Sequence, residues 1–328
     1  MTDARNERFG VLAAVLAAVL FGTAYPVTAI ALRSFQPLAL GALIGTVALI
    51  AMLVLVGAGL VERPHVRPLN AARLGRLAVI GLFGGIIFTA AINIAVGAAG
   101  PTITSFIATL YAAIVTILAV PLLGERVRPL ALASLVVALV GTALLAGYNP
   151  VGVSVVGTLM AFAAAIAFAL YLVLARRWGP TYQFDGSLLT LAILVGRGPV
   201  LLLIELAREP GSIVPASPSP SPESLIALGY LVVGPNLIAQ LAILASVKRV
   251  PAQRTSAALL IIPLVSAALA AILLGEVLAP VEIAGAVLVL AGMAGASGVV
   301  EGLGRRRPTT AATAAHATSA VGGDPDPP

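Results

Sequence analysis

The chain contains no cysteine, so neither a disulfide framework nor a thiolate metal site is open to it. Histidine is almost as scarce. Its two copies, His65 and His316, fall in polar connecting sequence, so no His cluster exists for metal binding or acid–base work, and neither a metal nor a cofactor is expected. Charged residues make up only 10% of the 328 residues, against roughly a quarter in a soluble domain. All thirteen acidic residues lie in loops, in tails or near the ends of apolar runs. A membrane-embedded enzyme would need clustered titratable groups, and their lack argues against any catalytic role. What remains is apolar: 60% hydrophobic residues and a mean hydropathy of +1.08, set in long unbroken runs. The solvent for most of the surface must be lipid.

A helix crossing the hydrocarbon core needs about 20 apolar residues. Ten runs qualify: 10–32, 37–58, 76–97, 101–123, 129–147, 154–175, 186–206, 224–246, 252–275 and 280–300. They are continuous and do not alternate with period two, which predicts helices and excludes barrel strands. The first run is too long for a signal peptide and holds Pro26 where cleavage would fall, so it reads as a retained span. Residues 207–223 form a Pro/Ser-rich connection, and residues 304–328, after three arginines, read as a disordered tail.

The sequence is also written twice. Leu122-Leu123-Gly124-Glu125, with Pro129 and Gly141, returns 151 residues later as Leu273-Leu274-Gly275-Glu276, with Pro280 and Gly292. Thr104-Ser105 falls on Thr255-Ser256 in the same register. An internal period of this kind fixes architecture before any residue-level reading. The expected fold is an all-α membrane protein of ten transmembrane helices, with a first repeat in residues 1–150 and a second in 151–303. Five spans per repeat is odd, so the second copy enters the bilayer inverted. Such repeats place a substrate site near the midplane where they meet.

The basic residues orient the chain. With the amino terminus inside, sixteen of the nineteen fall on cytoplasmic segments, Arg33 and Arg208 lie outside, and Arg197 lies within a span. Lysine and arginine enrich cytoplasmic loops. Both termini are therefore expected inside, and the net charge of +6 reports membrane orientation and not nucleic-acid binding.

Polar residues inside spans are the candidates for chemistry. Thr102, Ser105, Thr109 and Thr116 share a stripe of span 4, and Gly81, Gly85, Thr89, Asn93 and Gly97 share one on span 3. The small and hydroxylated members suit helix packing. Asn93, Asn236 and Gln240 suit a polar cavity, because an amide carries more hydrogen-bonding sites than packing satisfies. Arg197 is the lone formal charge in the middle of a span, between Gly196 and Gly198-Pro199. It either attracts a substrate carboxylate or phosphate, or braces broken backbone by bonding a carbonyl that Pro199 frees. Pro26, Pro235 and Pro263 interrupt spans 1, 8 and 9. Tyr25, Tyr111 and Tyr171 could stack on a ligand or simply pack. Trp178, beside Arg176 and Arg177, reads as an interfacial anchor. Glu125 and Glu276, each after a glycine and four residues before Pro129 or Pro280, read as helix-end structure able to favour the next N-terminus.

Ten spans, the inverted repeat and the paired Leu-Leu-Gly-Glu…Pro pattern resemble the EamA-type members of the drug/metabolite transporter superfamily over residues 9–300. Phe21-Gly22 and Phe168-Ala169 also stand where that family often has an aromatic followed by a small residue. The resemblance implies a central cavity lined by spans 1, 3, 4, 6, 8 and 9, and export of amino acids or other small metabolites. It implies a site drawn from Phe21, Tyr25, Asn93, Thr109 and Tyr111 in the first repeat. Tyr171, Asn236, Gln240 and Pro263 would complete it from the second. Many relatives carry an arginine after the proline that opens span 2; Ile44 stands near that place here, while span 7 has Arg197. The expected partners are the lipid bilayer and a small-molecule substrate, amphipathic or anionic, moved by alternating access; nothing in the sequence specifies an oligomeric state. A flippase for a lipid-linked or polyprenyl carrier is the alternative on the same fold.

Overall fold

A computed structural model describes residues 2–61, 63–64, 70–124, 129–147, 154–208, 220–247, 249–250, 255 and 258–296. Every regular element among them is helical. The first repeat supplies α1 (Thr2–Ala31), α2 (Pro37–Gly57), α3 (Ala71–Ala99), α4 (Pro101–Leu123) and α5 (Pro129–Gly147). The second supplies α6 (Val155–Tyr182), α7 (Gly186–Arg208), α8 (222–247), α9 (Ile262–Leu274) and α10 (Pro280–Ala296). Seven are long and apolar enough to cross a membrane, and α5, α9 and α10 contain shorter apolar helices. Glu125, Ser256, most of the Pro/Ser connection and the carboxyl-terminal tail lie outside the described residues.

The repeat is visible in how helices begin and end. α3 and α8 start 151 residues apart, and their caps are equivalent. Asn70 accepts from the backbone N–H of Arg73 at 2.9 Å, and Ser221 from that of Ser224 at 3.2 Å. α4 and α9 both close on a left-handed glycine, Gly124 at φ 71° and Gly275 at φ 69°, which a side chain would strain. Each fourth helix is also broken at the same place, at Leu110 in α4 and just ahead of Ile262 in α9. Pro26, by contrast, sits inside an uninterrupted α1. The expected break there is absent, and one without any proline appears at Leu110.

Lipid gives no hydrophobic drive for helices to associate, so close approach depends on small residues. α1 carries Gly10, Ala14, Ala18 and Gly22 at steps of four, and α6 carries Ala161, Ala165 and Ala169 at the matching positions, with Gly157 one turn before. The α1 seam lies against α8 and α9, where Gly22 meets the backbone oxygen of Ile262. The α6 seam lies against α3 and α4, with Gly157 against Ala99. Each repeat's first helix is therefore packed into the other repeat. The sequence halves interlock and are not separate packing units. α2 pairs with α7, and α5 with α10.

The α5–α10 crossing shows how tight these contacts are. A Cβ added at Gly141 would stand 2.6 Å from the Gly285 oxygen, and one at Gly292 would stand 2.5 Å from the Ser134 oxygen. The pseudo-twofold exchanges these two contacts. Leucine at Gly141 or Gly285 is expected to force the helices apart and to lower the midpoint of thermal unfolding in detergent, by the equivalent of about 1–3 kcal/mol. Gly75→Ala, where a Cβ meets nothing within 4 Å, is expected to leave the midpoint unchanged or raised. An unchanged midpoint for Gly141→Leu would show that α5 and α10 do not cross there.

Candidate functional site

The most constrained region is the junction of α2, α3 and α7. The middle turn of α7, Gly196–Val200, is widened to a π-helix, and α3 has its own π-segment at Gly81–Ile87. Insertions of this kind concentrate at functional positions. The two backbones almost touch: a Cβ on Gly196 would stand 2.5 Å from the Gly81 oxygen, and one on Gly85 would stand 2.6 Å from that of Ile193. Across the groove, a Cβ on Gly45 of α2 would lie 2.7 Å from both the carbonyl carbon and Cγ of Arg197. Glycines on three helices thus fix the backbone and the first part of the side chain of Arg197.

The guanidinium itself is left without a partner. Its Nε is sealed from solvent and bonds nothing, and among the described residues it forms neither a hydrogen bond nor an ion pair. The carbonyl-bracing role that Pro199 suggested is therefore not taken up. One helix away, the buried hydroxyl of Thr89, which packs against Gly41, also lacks a partner.

Beside this junction stands a wall of aromatic rings from α3, α4 and α6. Phe168 is its hub, with ring centroids at 4.9 Å to Phe88, 4.9 Å to Tyr111 in an edge contact and 5.5 Å to Tyr171. These are ordinary aromatic pair distances. Gly84 joins wall to junction: a Cβ there would meet the Tyr171 ring and the side chain of Ile193, one turn before Arg197. Tyr25, Tyr111 and Arg197 each keep accessible surface, and with the aromatic wall they outline a candidate cleft.

The amides divide. Asn93 is buried and donates to the carbonyl of Pro37 at 2.8 Å, tying α3 to the start of α2. Asn236 donates at 2.6 Å to the carbonyl of Leu231, four residues before Pro235, which the proline cannot serve. Its side chain repairs the helix that its neighbour interrupts. Gln240 instead reaches a side chain, the hydroxyl of Thr190 of α7 at 3.5 Å. Thr109 is buried and bonds the Phe106 carbonyl at 2.7 Å, Pro263 is buried at the start of α9, and Phe21 packs against Ala239 of α8. Among the anticipated residues, Tyr111 and Tyr171 join the wall around Phe168, and Asn93, Thr109 and Asn236 bond backbone carbonyls.

Glu276 does something other than expected. It accepts from the Thr102 hydroxyl at 2.5 Å, at the N-terminus of α4, while the start of α10 is served by Glu282 accepting from the Ala279 N–H at 2.6 Å. The carboxylate still complements a helix N-terminus, but across the bundle. Phe88 was not anticipated, because one more apolar residue in an apolar run carries no signal. Thr190 was legible as seven residues, two turns, ahead of Arg197 on one face.

A double-mutant cycle tests the repair at α8. Asn236→Ala alone is expected to destabilise by about 1–3 kcal/mol, by stranding a buried carbonyl. In a Pro235→Ala background, where a backbone N–H is restored, the loss should shrink to a fraction of that. Equal losses in both backgrounds would show that Asn236 acts elsewhere.

Comparison with known proteins agrees with this architecture. The model of the EamA-like transporter family matches residues 8–147 and again residues 155–298. No curated protein matches the chain. Among solved structures, one described as "Crystal structure of protein" is 22% identical, is covered over 98% of its length by 88% of this chain, and superposes with a TM-score of 0.61. At that identity the likeness concerns the fold alone.

Proposed function

Because the chain belongs to the EamA-like transporter family, within the drug/metabolite transporter superfamily, and is thus a multi-pass membrane transporter, we propose that it carries a small anionic or amphipathic metabolite across the plasma membrane by alternating access. The anionic group is bound by Arg197. Outward movement is carried over from the habit of the family.

One observation supports the anion reading above the rest, the absence of any partner for the Arg197 guanidinium among the described residues. A charge at the centre of a span costs at least about 2.5–3.5 kcal/mol. Proteins offset such a charge with a carboxylate or carbonyls, and here neither is engaged. A bound carboxylate or phosphate supplies the missing acceptor, and the cleft with its aromatic wall holds the rest of the molecule. Interlocked repeats also bear on the motion. With α1 lodged against α8 and α9, and α6 against α3 and α4, the bodies that rock are these mixed groups and not residues 1–150 against 151–303. The flippase alternative has no observation of its own in this packing and is not carried forward.

Purified protein reconstituted into vesicles is expected to take up anionic metabolites, with Arg197→Gln lowering uptake about tenfold or more at matched protein content. Arg197→Lys should retain part of the activity as a point charge without the planar fork. Undiminished uptake of every transported anion by a well-folded Arg197→Gln protein would make the residue a brace. The orientation is tested separately. A reporter fused ahead of α1 is expected to read cytoplasmic, as the basic loops require, and a periplasmic or extracellular signal would overturn the topology.

A further inference from the structure

Resting on the reading that Arg197 binds the substrate's anionic group, we infer the class of that substrate: an organic monocarboxylate with an aromatic or otherwise planar apolar body and no ammonium group. Three features of the cleft combine to select it.

The first is the count of charges. Arg197 is the sole cation in the middle of the described spans, and its Nε is an unserved donor. One guanidinium matches one carboxylate in a bidentate fork, whereas a phosphate dianion entering a water-poor cleft would leave a second charge unbalanced. The second is that, among the described residues of α7, no carboxylate lies near Arg197 to accept a substrate cation. The buried carboxylate nearest along α7 is Glu205, eight residues from Arg197 and so roughly 12 Å along the helix. It is already paired with Arg208 at 3.1 Å. An α-ammonium lies within a few ångströms of its own carboxylate, so it could not reach Glu205 while the carboxylate sat on Arg197. An amino acid would bury that ammonium without a counter-charge, which is strongly unfavourable.

The third is the nearness of the rings to the helix that carries the charge. Gly84 and Gly85 are adjacent in α3. The first abuts the Tyr171 ring and Ile193, and the second abuts the backbone of Ile193 and Arg197. The edge of the aromatic wall thus lies against α7 within one helical turn of the Arg197 backbone. Phe88, Tyr111 and Phe168 continue the wall and present ring faces and edges to a planar body.

Four small probes with one body separate the possibilities: phenylpropanoate, phenylalanine, phenyl phosphate and phenethylamine, each titrated against the purified full chain and then followed as flux into vesicles of phosphatidylethanolamine and phosphatidylglycerol. Phenylpropanoate is expected to bind and move best, with phenylalanine and phenyl phosphate each weaker by about tenfold or more and phenethylamine inactive. Arg197→Gln should remove most of the preference for phenylpropanoate. Phe168→Leu, which keeps an apolar side chain and leaves the charge untouched, should weaken phenylpropanoate more than it weakens a short aliphatic acid such as butanoate. If phenylalanine or phenyl phosphate equals phenylpropanoate while remaining dependent on Arg197, the class assigned here is wrong and the anion carrier stands. If no probe depends on Arg197 although both variants fold, the anion reading falls and this inference falls with it.

Discussion

In hydrocarbon, a backbone carbonyl without a donor has no water to turn to, and this constraint governs every irregularity in the chain. The π-segments at Gly81–Ile87, Gly196–Val200 and Gly234–Ile238 and the breaks in α4 and α9 are all turned toward neighbouring helices. Where the damage is specific, so is the repair. Pro235 removes the donor for Leu231, and the amide of Asn236 replaces it. The interruptions can exist because the bundle is closed around them. In turn they give the interior a shape that ten regular helices could not.

The same constraint explains how two copies of one unit have diverged. Arg73 and Ser224 are equivalent under the repeat, and each bonds a carbonyl at the end of the other repeat's first helix: Arg73 that of Tyr182 at 2.9 Å, Ser224 that of Ile30 at 3.2 Å. The tie is kept while its chemistry differs between the two ends of the bundle. On the basic side, Arg76 stacks over Tyr182 at 4.2 Å and Trp178 at 5.7 Å, extending the anchor role expected of Trp178 alone. Deeper in, Thr255 shares a hydrogen bond with Ser246 at 3.0 Å, while its equivalent Thr104 is fully buried without a partner, because Ala95 stands where the second copy has Ser246. A lost partner of this kind is tolerated when the repeat no longer needs the two halves to be alike.

This division also sets what could be read from residues alone. The spans, the repeat and the left-handed ends at Gly124 and Gly275 were legible because each depends on composition or on local geometry that the sequence states directly. The interlocking of α1 and α6 was written in their four-residue seams, Gly10-Ala14-Ala18-Gly22 and Gly157-Ala161-Ala165-Ala169, although such seams do not name their partner. Side-chain roles were harder. Asn93 and Asn236 looked equally suited to a cavity, and what separates them from Gln240 is which carbonyl lies within reach, a three-dimensional fact. The break at Leu110 left no trace, since apolar sequence does not record which carbonyl will lose its bond. Phe88 stayed hidden among apolar neighbours for the same reason, and Phe168 was marked by the family resemblance without its role as the hub of the rings.

Arg197 is the point at which these strands meet. Its backbone is set by glycines at positions 45, 85 and 198, each of which has the backbone of another helix within 3 Å of where a Cβ would stand. The side chain has little freedom to swing toward a distant interface, and the π-turn supplies no carbonyl for it. A protein selected only for stability would replace such a group with leucine, because a buried charge without a partner is a net loss. On the function proposed, a ligand present in only part of a transport cycle recovers that loss. Binding then also changes the balance among conformations, since a state that brings the anion against both the guanidinium and the aromatic wall gains more than one that offers either alone. On that proposal, the unpaired charge is a reason for the carrier to close around its cargo.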